Sequence, residues 1–232
     1  MALPDDVARQ IRLDRSALLF IDMQRRHLDL DVGYHTLPPE DARRVVERGA
    51  VALGAAREAG LRIVHVGTWS RRASPWGPTE GRNPFWRWQT GKPIPGASFV
   101  RQSGKCVEGS VWAEFMPPVA PATGEPVVVK KTYSGFFMTD LELVLRSLQV
   151  ETVFVGGVNT NNCVLHTAFD AHARDFGVVV LEDACGSMNG GAYHEAALRQ
   201  IQAAIGWTTT VDAFVGLFAA GRQRIQAAGL PT

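Results

Sequence analysis

The sequence predicts an α/β fold, with a parallel sheet covered by helices on both faces. Two observations carry that prediction. Short apolar runs of β type alternate along the chain with amphipathic helical patterns, and that rhythm is typical of a parallel sheet. The chain is also 232 residues long and 46% apolar, which is enough for one domain, 1–232, with a full core.

The elements are expected in the following order. Ala17 to Ile21 is a buried-type strand ending at Asp22. Glu40 to Glu58 is a helix, with Val45, Val46, Val51, Leu53 and Ala56 among charged residues and Gly60 as its stop. Arg62 to Val66 is a second strand, and Pro126 to Val129 a third that ends at Lys130 and Lys131. Asp140 to Ser147 is a helix capped by Thr139. Thr152 to Val155 is the fourth strand, after which Cys163 opens a helix. Val178 to Leu181 is the fifth strand, ending at Glu182 and Asp183. His194 to Ala204 is a helix, Trp207 to Val211 a sixth strand, and Asp212 to Ala228 a last helix. One stretch breaks the rhythm. Residues 68–125 carry Trp69, Trp76, Trp86, Trp88 and Trp112 with many Pro and Gly. Between Thr68 and Glu108 there are seven Lys or Arg against two Glu. An insertion this long is usually a lid, a binding loop or an oligomer contact.

Composition removes several function classes. A net charge of +1 argues against nucleic acid or a membrane surface as partner. No run approaches about 18 apolar residues, and the N-terminus has no apolar signal core. Three cysteines without paired spacing suit a reducing compartment, so a cytoplasmic protein is expected. No dinucleotide fingerprint, Walker motif or zinc-type histidine spacing is present.

The chemistry concentrates in Val-Phe-Val-Gly-Gly-Val-Asn-Thr-Asn-Asn-Cys, residues 153–163. A strand fixes position, a polar turn exposes a thiol, and the start of a helix favours thiolate. In an open parallel sheet, sites form at the carboxyl ends of strands. Asp22, Lys130 and Cys163 all fall there. A carboxylate can move the thiol proton, an ammonium can steady charge, and a sulfur can attack a carbonyl. Each residue also has a plain alternative: a packed thiol, a turn Asp and a solvated Lys. Cys106 and Cys185 read as packed thiols.

Three blocks then resemble the isochorismatase-like cysteine hydrolases, in that family's order. They are Ala17-Leu-Leu-Phe-Ile-Asp22-Met-Gln24, then Val129-Lys130-Lys-Thr-Tyr133-Ser-Gly-Phe136, then Gly157-Val158-Asn159-Thr160-Asn-Asn-Cys163-Val164. The resemblance runs from about residue 13 to 215. It implies a three-layer, Rossmann-like α/β/α fold with a six-stranded parallel sheet in order 3-2-1-4-5-6. It also implies a catalytic triad of Asp22, Lys130 and Cys163. A cis peptide at Val158–Asn159 is implied as well, with the N–H groups of Asn159 and Cys163 as an oxyanion hole. Lys130 carries a geometric demand, because strand three lies two strands, about 9.6 Å, from strand one.

The resemblance further implies cysteine-dependent hydrolysis of an amide without a cofactor. Nicotinamidases of the family bind a metal through an Asp-Trp-His-Pro stretch. Here the corresponding residues are Thr68-Trp69-Ser70-Arg71, so no metal is expected. His27 stands where a Phe is usual, and Arg25-Arg26 replace a more neutral pair. The Tyr133 block is most similar to members acting on ureides and small linear amides, such as ureidoacrylate, biuret and carbamoyl-sarcosine hydrolases. Gln24, Trp69, Tyr133, Phe136, Phe137 and Asn159 are the expected pocket residues. A small amide or ureide is the expected partner, and family habit suggests a homodimer or homotetramer. The rival readings are a non-catalytic binding or assembly module and a redox sensor built on Cys163. Neither rival needs Asp22 and Lys130.

Overall fold

The computed structural model describes residues 3–71, 84–97, 99–102 and 104–218. Six strands form one sheet: β1 Ser16–Ile21, β2 Arg62–Thr68, β3 Val127–Lys130, β4 Thr152–Val158, β5 Gly177–Gly186 and β6 Trp207–Thr209. Every pairing is parallel and the order is β3-β2-β1-β4-β5-β6, as expected. The helices are α1 Asp5–Gln10, α2 Arg25–Leu28, α3 Pro39–Glu58, α4 Pro84–Gln89, α5 Leu141–Ser147, α6 Leu165–His172 and α7 Gly191–Ala204.

β1 shows why this arrangement holds. All six of its residues are buried, and alternation sends successive side chains to opposite faces. Leu18 and Phe20 join a core with Val45, Leu53 and Ala56 of α3 and with Phe214, in the helical stretch 211–218. Ala17, Leu19 and Ile21 join a second core with Leu141 and Leu145 of α5, Ala168 of α6 and Ile201 of α7. A strand buried on both faces carries no alternating polar residues, so it reads as a continuous apolar run.

Several boundaries differ from expectation. β4 runs on to Val158 and β5 to Gly186. A register shift between Val155 and Gly157 lets the two strands keep pairing past the polar Glu182-Asp183 pair. Thr139 does hold the start of α5, its Oγ1 accepting the Leu141 N–H at 3.2 Å, although Asp140 occupies the cap position. Cys163 does not open a helix. It sits in a π-helical turn, Thr160–Val164, and α6 begins two residues later.

The insertion after β2 is not all loop. It holds α4 and isolated bridges Ser70–Val107, Thr90–Arg101 and Pro93–Val100. Trp76 and the predicted helix beyond residue 218 lie outside the described residues. Among the described residues no helix is long and apolar enough to cross a membrane.

Candidate active site

Strand order reverses between β1 and β4, and there the carboxyl ends of neighbouring strands leave a crevice. Asp22 is the first residue past β1. Its N–H donates to Val66 O at 2.7 Å, and its φ of 50° lies in the left-handed region, which Asp tolerates better than most side chains. The carboxylate is 1% exposed. Oδ1 accepts from Thr68 Oγ1 at 2.7 Å, and Oδ2 faces Lys130 Nζ at 2.8 Å.

Lys130 ends β3 in register with Thr68 of β2. Its side chain spans the intervening strand and satisfies the geometric demand. Nζ reaches Asp22 Oδ2, donates to Thr132 O at 3.0 Å and donates to Cys163 Sγ at 3.3 Å. Three ammonium protons thus meet three acceptors. Burial works against the charge, but Asp22 and then Cys163 outweigh it, and the ammonium pKa is held above its ordinary value. Lys131 points elsewhere, onto the carbonyl of Trp69.

Burial pushes the Cys163 thiol up to about 11, with Lys130 opposing and Asp22 adding to the rise. The expected preference for thiolate is therefore not met in the resting site. The reason is physical: Sγ lies in buried surroundings ahead of α6 and shares its cation with a carboxylate. The resting set is carboxylate, ammonium and thiol. Any nucleophilic role for this sulfur requires that the thiol first lose its proton.

The turn before Cys163 is tied down from several sides. The Val158–Asn159 peptide is cis. Asn159 is buried, its Oδ1 accepts the Met188 N–H at 2.9 Å, and its carbonyl accepts from Asn162 and Val164. Gly157 has φ 119°, and a Cβ there would lie 2.0 Å from Ile21 O. Only glycine lets β4 approach β1 this closely.

Asp22, Lys130 and Cys163 line one cavity of about 200 Å³. Trp69, Tyr133 and Asn159 line it too. Tyr133 is braced between Trp86 and His166, with ring centroids 5.4 and 5.3 Å away. Three expected pocket residues do not line it. Gln24 is spent on structure: it donates to Ala113 O at 2.7 Å and accepts the Thr68 N–H at 2.8 Å, pinning the insertion to β2. Phe136 is packed in the core against Phe176, and Phe137 is 55% exposed. The tight Tyr-Ser-Gly turn, with Gly135 N–H on Thr167 Oγ1 at 2.9 Å, sends both rings away from the cavity.

Sequence reasoning missed Thr68 as the partner of Asp22, and it missed Arg26, His35 and Cys106 as cavity residues. Arg26 did leave a trace, being a charge next to a block that is otherwise ordinary. Among the described residues, no group of three His, Cys, Asp or Glu side chains is placed to hold a metal ion.

Comparison with known proteins agrees with this fold. The isochorismatase domain matches residues 16–213. Ureidoacrylate amidohydrolase RutB of Methylorubrum extorquens is 31% identical over 221 residues, covering 92% of this chain and 86% of that protein. Its counterpart in Variovorax paradoxus is 29% identical over 227 residues, covering 94% and 86%. Among solved structures, a cysteine hydrolase from Pseudomonas syringae pv. phaseolicola shares the fold with a TM-score of 0.76 at 24% identity, covering 90% of this chain and 95% of that one. The chain belongs to the isochorismatase family.

Proposed function

We propose that this isochorismatase-family hydrolase is a cysteine-dependent amidohydrolase that cleaves a C–N bond of a small linear amide or ureide and releases ammonia. The observation that carries the reading is one ammonium, Lys130 Nζ, bridging a buried carboxylate at 2.8 Å and a buried thiol at 3.3 Å in a single cavity. A binding module or a redox sensor has no use for a carboxylate held beside a thiol. The relatives named ureidoacrylate amidohydrolase support the substrate class.

The steps follow from the residues. Asp22 takes the Cys163 proton as Sγ forms a bond to the substrate carbonyl. The tetrahedral oxyanion is held by the N–H groups of Asn159 and Cys163. Asp22 returns the proton to the amide nitrogen, the C–N bond breaks and ammonia leaves. Water then attacks the acyl-thioester with Asp22 as base, which releases the acid and restores the thiol. Lys130 pairs with Asp22 between transfers and steadies the sulfur while it carries charge. None of these steps calls for a cofactor. We place the enzyme in a reducing cytoplasm as a homodimer or homotetramer, a setting that suits three unpaired cysteines.

The test is ammonia release from ureidoacrylate, biuret, carbamoyl-amino acids and nicotinamide, with wild type against Cys163→Ala. Ureides should be cleaved by wild type alone. Equal release by the two proteins would remove Cys163 as nucleophile.

A further inference from the structure

The cavity around Cys163 is unusually cationic for a site that handles a neutral amide. Among the described residues, Arg26, Arg87, Arg101, Lys130 and Lys131 line it, against Asp22 as the single carboxylate. Four of the five cations are accounted for. Lys130 is paired with Asp22. Lys131 and Arg87 are exposed, and water serves their charge. Arg101 donates through Nε to Gln89 Oε1 at 2.8 Å.

Arg26 is different. It lies four residues past Asp22, in α2, and no carboxylate among the described residues lies within ion-pairing distance of it. Its Nε is buried and has no hydrogen-bond partner. Its Nη2 lies 3.4 Å from His35 Nδ1, but that contact does not satisfy it. His35 Nε2 accepts the backbone N–H of Gln102 at 3.0 Å. A neutral imidazole has one donor and one acceptor nitrogen, so Nδ1 carries the proton. Burial keeps this ring neutral, with its pKa lowered to about 3. Arg26 Nη2 and His35 Nδ1 are therefore two donors facing each other. The ring of Tyr34, 5.5 Å from the guanidinium carbon, adds a cation–π contact, and the Cys106 sulfur, itself donating to Thr68 O at 3.0 Å, offers only a weak acceptor.

A half-buried guanidinium whose buried Nε is unpaired and whose Nη2 faces another donor is costly unless something supplies acceptors. A carboxylate does so well, since its two oxygens match the fork of the guanidinium. We infer that Arg26 is the specificity-determining residue of this site, and that it selects amides or ureides bearing a carboxylate by pairing with that group while the amide carbonyl sits at Cys163. The inference rests on the reading of the cavity as an amidohydrolase active site, and it adds to that reading the residue that recognises the charged group of the substrate.

The experiment uses matched pairs. Ureido acids with one to three methylenes between urea and carboxylate are compared with the corresponding ureido alcohols, which keep the urea and lose the charge. Ammonia release is measured with wild type, Arg26→Met and Arg26→Lys. Binding of the same compounds is measured by calorimetry on Cys163→Ala, with and without Arg26→Met. Wild type should favour the best ureido acid over its alcohol by about thirtyfold or more in kcat/KM. Arg26→Met should erase that preference, lowering kcat/KM for the acid by about thirtyfold more than for the alcohol. Arg26→Lys should keep part of the preference, because it keeps charge and loses the fork. The same preference should appear as tighter binding to Cys163→Ala. A wild type indifferent to the carboxylate overturns the inference, and that comparison does not depend on either Arg26 variant folding. A preference that survives Arg26→Met overturns it as well. If no compound releases ammonia yet Cys163→Ala binds acids through Arg26, the amidohydrolase reading fails and the carboxylate site stands.

Discussion

Asp22 is placed where it raises the barrier to forming the thiolate that the proposed reaction needs. Its charge adds to the rise in the Cys163 pKa, yet in the proposed mechanism it is also the group that receives the proton. These roles agree if the thiol is deprotonated only when substrate is present, so that the nucleophile is created beside its target and kept inert otherwise. The two effects can be separated by Asp22→Asn. Removing a negative neighbour favours the thiolate, so the Cys163 pKa should fall below about 11. Turnover should fall by about a thousandfold or more, because the proton carrier is gone. Ultraviolet thiolate absorbance against pH reads the first effect and ammonia release the second. A variant whose thiol titrates higher than wild type would contradict this electrostatic account. At the residue scale the meeting of Asp22, Lys130 and Cys163 was legible beforehand, because three separate strand ends pointed to one rim. The ionisation state of the thiol was not legible, because it depends on burial and on a cation shared with Asp22.

At the scale of elements, the β1–β4 junction does most to set the geometry. Gly157 stands opposite Ile21 in the register, with φ 119° and with backbone where a side chain would go. Gly157→Ala should cost about 3 kcal/mol or more, since neither the dihedral nor the Ile21 carbonyl can yield. Gly54, inside α3, has nothing within 4 Å of a built Cβ, so Gly54→Ala should stabilise by about 0.5–1 kcal/mol. Urea midpoints of the two variants should move in opposite directions, and a Gly157→Ala protein as stable as wild type would refute the close-approach reading. The six strands and the longest helix were readable because strong apolar periodicity marks them. α2 and α4, at four and six residues, are too short for a helical period to register. The last turn of β4 and the far half of β5 were lost because glycines and acidic residues look like strand ends. Here those residues stay paired across a register shift.

On the scale of the whole molecule, the insertion must be closed at its base for the cavity walls it supplies to hold their place. Glu125, just ahead of β3, makes that closure. It accepts from Arg57 Nε and Nη2 at 2.8 and 2.9 Å, from the Ala122 N–H at 2.8 Å and from His65 Nε2 at 2.8 Å. One carboxylate thus joins the end of α3, the middle of β2 and the last turn of the insertion. His65 enters this cluster as a neutral donor, since burial lowers its pKa against the opposing pull of Glu125, and its Nδ1 is left buried without a partner. Burial works against the charge on Glu125, but Arg57, the Ala122 N–H and His65 outweigh it and lower its pKa to about 2. A carboxylate whose pKa is depressed by folding stabilises the native state above its unfolded value. That stabilisation is lost as pH falls through the native value. The window therefore runs from the ordinary 4.5 down to about 2, and the contribution at neutral pH is roughly 3 kcal/mol. Glu125→Gln should lower stability at pH 7 and flatten the fall in stability across that window, as read by urea unfolding at a series of pH values. If the variant and wild type lose stability in parallel as pH falls, the acid sensitivity of the fold lies elsewhere and Glu125 is not the clasp of the insertion.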